Sequence, residues 1–98
     1  MANLFLILVN YTKPLEVIDE ILPAHRAFLS ENYKEGRLLV SGPREPRVGG
    51  IILGKFKNKE EALNFTKQDP FYQNQAASYE VMEFNPVLSN ESLTKFLS

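Results

Sequence analysis

The spacing of apolar and polar positions changes several times along this 98-residue chain, and each change marks an element. Residues 3–10 (Asn-Leu-Phe-Leu-Ile-Leu-Val-Asn) are one apolar run of strand length. In an extended chain Leu4, Leu6 and Leu8 point one way and Phe5, Ile7 and Val9 the other. A strand apolar on both faces needs cover on both. One layer of helices covers only one face, so in so short a chain the second cover is expected from another copy of the protein.

From about residue 14 to 35 the period becomes helical. Ile18, Ile21, Leu22, His25, Phe28, Leu29 and Asn32 recur at three- and four-residue spacings and share one face. Pro14 suits the helix start, and Gly36 sits where a left-handed cap belongs. Pro23 removes a hydrogen bond and clashes with the preceding turn, so a break or kink is expected at Leu22-Pro23, with a second segment beginning there.

Residues 37–42 and 50–56 read as two strands joined through Pro43, Pro46 and Gly49. Their connector carries Arg44 and Arg47 and is long enough to be mobile. Asn58 is placed to cap a second helix from Lys59 to about Gln68, with Glu60 and Glu61 in its first turn and Ala62, Leu63 and Phe65 on its apolar side. Asp69-Pro70 stops that helix. Residues 71–77 form a short irregular or helical stretch, 78–84 a fourth strand, and Ser89 is placed to cap a terminal helix over about 89–97. The order is βαββαβ in a single domain. It predicts an α+β, ferredoxin-like unit: a four-stranded antiparallel sheet with helices on one face and an open face where two units meet.

Composition narrows the function classes. Apolar residues at 44% and charged ones at 23% describe an ordinary globular chain, and no apolar run approaches the roughly 20 residues of a membrane span. The start lacks a basic region and a small-residue cleavage site, so no signal peptide is expected and the chain reads as cytoplasmic. Without cysteine there is no disulfide, thiolate nucleophile or sulfur metal site. A net charge of −1 gives no basic field for nucleic acid or an anionic membrane. The βαββαβ order also occurs in RNA-binding modules, but the third strand here is aliphatic at its centre, where stacking aromatics would be needed. One histidine with no other soft ligand argues against haem and zinc, and glycine-rich phosphate loops are missing. No cofactor or metal is expected.

The sole histidine carries the candidate chemistry. An imidazole on an apolar helix face gives up water and needs a partner. Two readings stay open: a satisfied structural residue, or a proton-transfer group in a cleft. If a helical segment starts at Pro23, His25 falls in its first turn, where the helix dipole favours the neutral ring and lowers its pKa. Arg26, Arg44 and Arg47 are able to grip a substrate carboxylate with two hydrogen bonds; the alternative is solvated surface arginines. Phe71 and Tyr72 either floor an aromatic-binding site or pack in the core. Ser41 has no second histidine and no glycine-flanked nucleophile elbow beside it, so it reads as a hydrogen bonder to substrate or a strand-end residue.

Three blocks, Leu22-Pro23-Ala24-His25-Arg26, Gly36-Arg37-Leu38-Leu39-Val40-Ser41-Gly42-Pro43 and Asp69-Pro70-Phe71, resemble in order and spacing the YciI-like (YCII-related) family. The resemblance implies a dimeric α+β barrel, in which two ferredoxin-like sheets pack face to face. Members are mostly of unknown function and are regarded as candidate enzymes; one branch resembles dehydrochlorinases of aromatic breakdown. Related barrel families include muconolactone isomerases and cofactor-free monooxygenases. By the same resemblance His25 and Asp69 would be an acid–base pair, with Ser41 lining their pocket. A carboxylate beside an imidazole fixes its tautomer and stabilises its cation, leaving the other ring nitrogen to exchange protons. The competing reading of Asp69 is a turn aspartate bonded to its own backbone. Where relatives carry a glycine soon after the third block, this chain has Tyr72-Gln73-Asn74-Gln75-Ala76. The expectation is a homodimeric, or larger, cofactor-independent isomerase, lyase or dehydrohalogenase acting on a small anionic or aromatic molecule. The alternative is a non-catalytic dimeric ligand-binding or accessory protein.

Overall fold

The computed structural model describes residues 2–98. Its elements are β1 (Leu4–Tyr11), α1 (Leu15–Lys34), β2 (Leu38–Pro43), β3 (Gly49–Lys55), α2 (Lys59–Gln68), a single turn α3 (Pro70–Gln73), β4 (Ala77–Phe84), a 3-10 turn (Glu91–Leu93) and α4 (Thr94–Leu97). The four strands form one antiparallel sheet in the order β2-β3-β1-β4, which is the ferredoxin-like arrangement expected from the element order.

Alternation along β1 sorts the sheet into two faces. Phe5, Ile7 and Val9 are at most 2% exposed and join Ile18 and Leu29 of α1, Ile52 of β3, and Ala62 and Phe65 of α2 in one core. That core has an aromatic end, where Phe5, Phe56, Phe65 and Phe28 follow one another at ring-centre distances of 5.7, 5.1 and 4.9 Å. Leu6 and Leu8 point the other way, opposite Leu53 and Ile51 on one side and Met82 and Glu80 on the other.

α1 runs without interruption through Pro23, contrary to the break expected there. The cost of an interior proline is on the order of 3 kcal/mol. Ending the helix would strip Ile18, Ile21 and Leu22, or Phe28 and Leu29, from the core, at about 1.5–3 kcal/mol for each side chain. Pro23 and Asp19, whose carbonyl loses the donor, are both exposed, so water can take its place. With no helix start at residue 23, the expected dipole effect on His25 has no origin: the imidazole stands in the middle of a 20-residue helix. At the far end Gly36, at φ 78°, closes a Schellman cap in which its N–H reaches Tyr33 O and that of Arg37 reaches Asn32 O.

β2 departs from simple alternation. A bulge between Leu38 and Val40 puts Leu38 opposite Gly54 and Ser41 opposite Ile52, both on the helix-covered face, while Val40 turns to the open face. Gly54 permits this, because a Cβ there would stand 2.6 Å from the Arg37 carbonyl. The terminal segment starts at a cap from Asn90, whose side chain accepts from Ser92 N–H, and not from Ser89. It lies against one end of the open face. Ala2 N–H donates to Leu97 O, and Lys55 Nζ donates to the Phe96 carbonyl while standing 4.6 Å from that ring's centre. Among the described residues no helix is long and apolar enough to cross a membrane.

Candidate functional site

Opposite its aromatic end, the core turns polar. Asp69 closes α2 and opens α3, its backbone held extended (φ −66°, ψ 129°) ahead of Pro70. Its carboxylate is fully buried, yet three donors satisfy it. Oδ1 accepts from Phe71 N–H at 3.0 Å and from His25 Nδ1 at 2.8 Å, and Oδ2 accepts from the Tyr79 hydroxyl at 2.7 Å. The two readings of Asp69 are thus both realised: it caps its own turn and also holds the imidazole. Because both oxygens act as acceptors, Nδ1 carries the ring proton in the neutral histidine and Nε2 does not. His25 also stacks on Phe71, with ring centres 4.2 Å apart and planes 22° from parallel.

Nε2 makes no hydrogen bond within the described residues, yet no buried side-chain nitrogen or oxygen lacks a partner. It therefore opens onto the cavity that His25 lines, a space of about 420 Å³ between α1 and strands β1, β2 and β3. The walls are mainly apolar (Val9, Leu22, Leu29, Pro43, Ile52), with Tyr11 and Ser41 adding hydroxyls and Arg26, Arg47 and Asp19 adding charge. Ser41 reaches this side through the β2 bulge, and its Oγ stands 2.7 Å from the Tyr33 hydroxyl. Arg47 is paired with Asp19, a hydrogen bond that raises the guanidinium pKa further. Arg26 makes no ion pair or side-chain hydrogen bond among the described residues.

The structure brings His25, Asp69, Ser41, Arg26 and Phe71 to one end of the core. It does not bring Arg44, whose Nη1 donates to Asn10 Oδ1 at 2.7 Å and which is not part of the cavity wall. Phe71 is 1% exposed, with His25 on its face and Tyr11 at its edge, 5.7 Å away. Its ring supports the imidazole and contributes to the cavity lining, with little of its surface exposed. Tyr72 is exposed on the other side of the turn.

Sequence reasoning missed Tyr79. A signal existed: Ala77, Tyr79 and Val81 alternate with outward Ser78 and Glu80, and an inward phenol needs an acceptor. Burial first, then the Asp69 charge and the hydrogen bond to it, push this phenol well above its usual value near 10, while the Tyr72 backbone N–H acts in the opposite sense.

Residues 3–85 match the profile of the YCII-related domain. No curated protein matches the sequence. Among solved structures the chain is similar to 5-chloro-2-hydroxyhydroquinone dehydrochlorinase from Burkholderia phenoliruptrix AC1100 in complex with 2,5-dihydroxybenzoquinone. The TM-score is 0.72 at 22% identity, covering 84% of this chain and 93% of that one. It is also similar to an antibiotic biosynthesis monooxygenase, with TM-score 0.56 and 18% identity over 87% of this chain and 99% of the other. At these identities the likeness is one of fold.

Proposed function

This chain belongs to the YCII-related family, and we propose that it is a small-molecule enzyme in which His25 Nε2 is the proton acceptor and Asp69 its orienter. The observation that carries this reading is the 2.8 Å contact between His25 Nδ1 and a fully buried carboxylate, with the opposite nitrogen free at a cavity. A histidine held for packing alone would not need one open nitrogen facing a space that would enclose a small ring.

The chemistry follows from the donor set. Nε2 takes a proton from a carbon or hydroxyl of the ligand, and Asp69 stabilises the imidazolium so formed. The electron pair left on the ligand forms a new double bond. In an elimination a leaving group departs with its bonding electrons; in an isomerisation the imidazolium returns the proton at another carbon. Apolar walls and Arg26, unpaired among the described residues, favour a small, flat molecule with an anionic oxygen. The dehydrochlorinase of the same fold, solved with a dihydroxybenzoquinone, makes halogenated hydroxyquinols the first compounds to try. The chain further acts as a homodimer, two open sheet faces covering each other.

Chloride release from such compounds, and isomerisation of small unsaturated lactones, tests the proposal. His25→Gln should lower kcat/KM by about 10²–10⁴ with the fold intact, and Arg26→Ala should raise KM more than it lowers kcat. Tight binding without turnover, equal in wild type and His25→Gln, would replace the enzyme by a ligand-binding protein.

A further inference from the structure

We propose that Tyr79 is a positioning residue: its hydroxyl fixes the Asp69 carboxylate so that His25 keeps its proton on Nδ1 and presents an unprotonated Nε2 to the cavity. The inference rests on the reading of His25 as the base and adds the group that sets its tautomer. Tyr79 is absent from the cavity wall, so it acts through Asp69 and not on a ligand.

Three donors meet at two oxygens, and they are unevenly shared. Phe71 N–H and His25 Nδ1 both address Oδ1, whereas Oδ2 has Tyr79 alone. Asp69 has no exposed surface, so without the phenol Oδ2 would be a buried acceptor with no partner among the described residues. Such a carboxylate is free to rotate away from Nδ1, and the neutral ring then loses the partner that fixes its tautomer. With the phenol in place that rotation is closed. The phenol is also a dependable donor, since burial and the Asp69 charge keep it protonated throughout the range in which an imidazole titrates.

The direction of the effect on His25 can be worked out. A hydroxyl donating to the carboxylate withdraws part of the negative potential that stabilises the imidazolium. Removing the hydroxyl leaves that charge undamped and makes the imidazole a stronger base wherever the carboxylate keeps its contact with Nδ1. The other ionisable groups near the ring are Tyr11 on β1, Asp19 and Arg26 on α1, and Arg47 in the β2–β3 connector. All four are unchanged by a substitution at position 79.

The experiment is a nitrogen-15 NMR titration of the single imidazole in wild type, Tyr79→Phe and Tyr72→Phe, read for both pKa and tautomer. Wild type should show Nε2 unprotonated in the neutral ring. Tyr79→Phe should either give a mixture of tautomers, where the carboxylate turns away from Nδ1, or, where it stays in place, raise the His25 pKa by about half a unit to one unit, the size of one hydrogen bond lost from its anionic partner. Tyr72→Phe, whose ring centre lies 6.1 Å from that of Tyr79, should match wild type. An unchanged titration and tautomer in Tyr79→Phe, or an equal change in Tyr72→Phe, overturns the proposal. If Tyr79→Phe does not fold, a fluorinated tyrosine placed at position 79 makes a stronger donor and should lower the His25 pKa; no change there overturns it equally. A wild-type ring carrying its proton on Nε2 instead refutes the base reading itself, so the two failures are separable.

Discussion

Alternate residues of β1 serve two faces that share hydropathy and little else. Phe5, Ile7 and Val9 are sealed beneath helices of their own chain. Leu6 and Leu8 look out from a face where Val40, Ile51, Met82 and Phe84 are 39–55% exposed, with only the Leu4 end lying against the terminal segment. All the candidate chemistry lies on the first face, because a buried carboxylate and a half-enclosed cavity need two layers of structure from one chain. The second face has apolar surface and no buried polar side-chain network of comparable kind among the described residues. Completeness within one chain therefore separates a face that reacts from a face that assembles.

The comparison breaks most easily at matched positions. Phe5→Ala opens a cavity inside the sealed core and should cost about 3–5 kcal/mol in urea unfolding, whatever the protein concentration. Met82→Lys, on the open face beside Leu6, should leave the fold intact and weaken self-association about a hundredfold or more, because an unpaired ammonium would be buried at the contact. Sedimentation equilibrium measures this directly. If wild type is monomeric at micromolar concentration, or Met82→Lys associates as well as wild type, the second face is not an interface between copies.

Most of the helix-covered face was legible in the sequence. The stripe from Ile18 to Asn32, the Asn58 cap and the Asp69-Pro70 stop are each written in local spacing, and all three occur in the structure. His25 and Asp69 came forward as a pair from the family resemblance; which oxygen meets which nitrogen came from the fold. Tyr79 was missed because its partner lies ten residues away across a turn whose direction no alternation rule gives. Ser41 came forward from the same family resemblance; the bulge that turns it inward depends on a close approach at Gly54, which alternation alone does not give. The break at Pro23 failed for the opposite reason: a local rule was correct about the cost and silent about the packing on both sides of it. Arg44 and Arg47 are three residues apart in one connector, and only pairing with Asn10 and Asp19 sends them to different places.

A smaller effect sharpens the same contrast, because the sealed face holds a buried ionisable network, whereas the Arg44–Asn10–Glu80 chain on the open side is not buried. Folding raises the Tyr79 pKa, so the folded protein holds this proton more tightly than the unfolded chain does. Stability from this source is fully present below the unfolded value near 10 and is lost as pH rises above it. The slope for one proton is about 1.4 kcal/mol per pH unit. Alkaline solution acts on more than one group of any protein, so the informative quantity is a difference. The urea midpoint should fall more steeply between pH 9.5 and 11 (about one unit either side of the phenol's usual value) in wild type than in Tyr79→Phe. Met82→Lys, altered on the open face alone, should keep the wild-type slope when both are measured as monomers. Parallel slopes in wild type and Tyr79→Phe would mean that the phenol ionises freely in the folded protein, and the network would then be no tighter than the open face it is contrasted with.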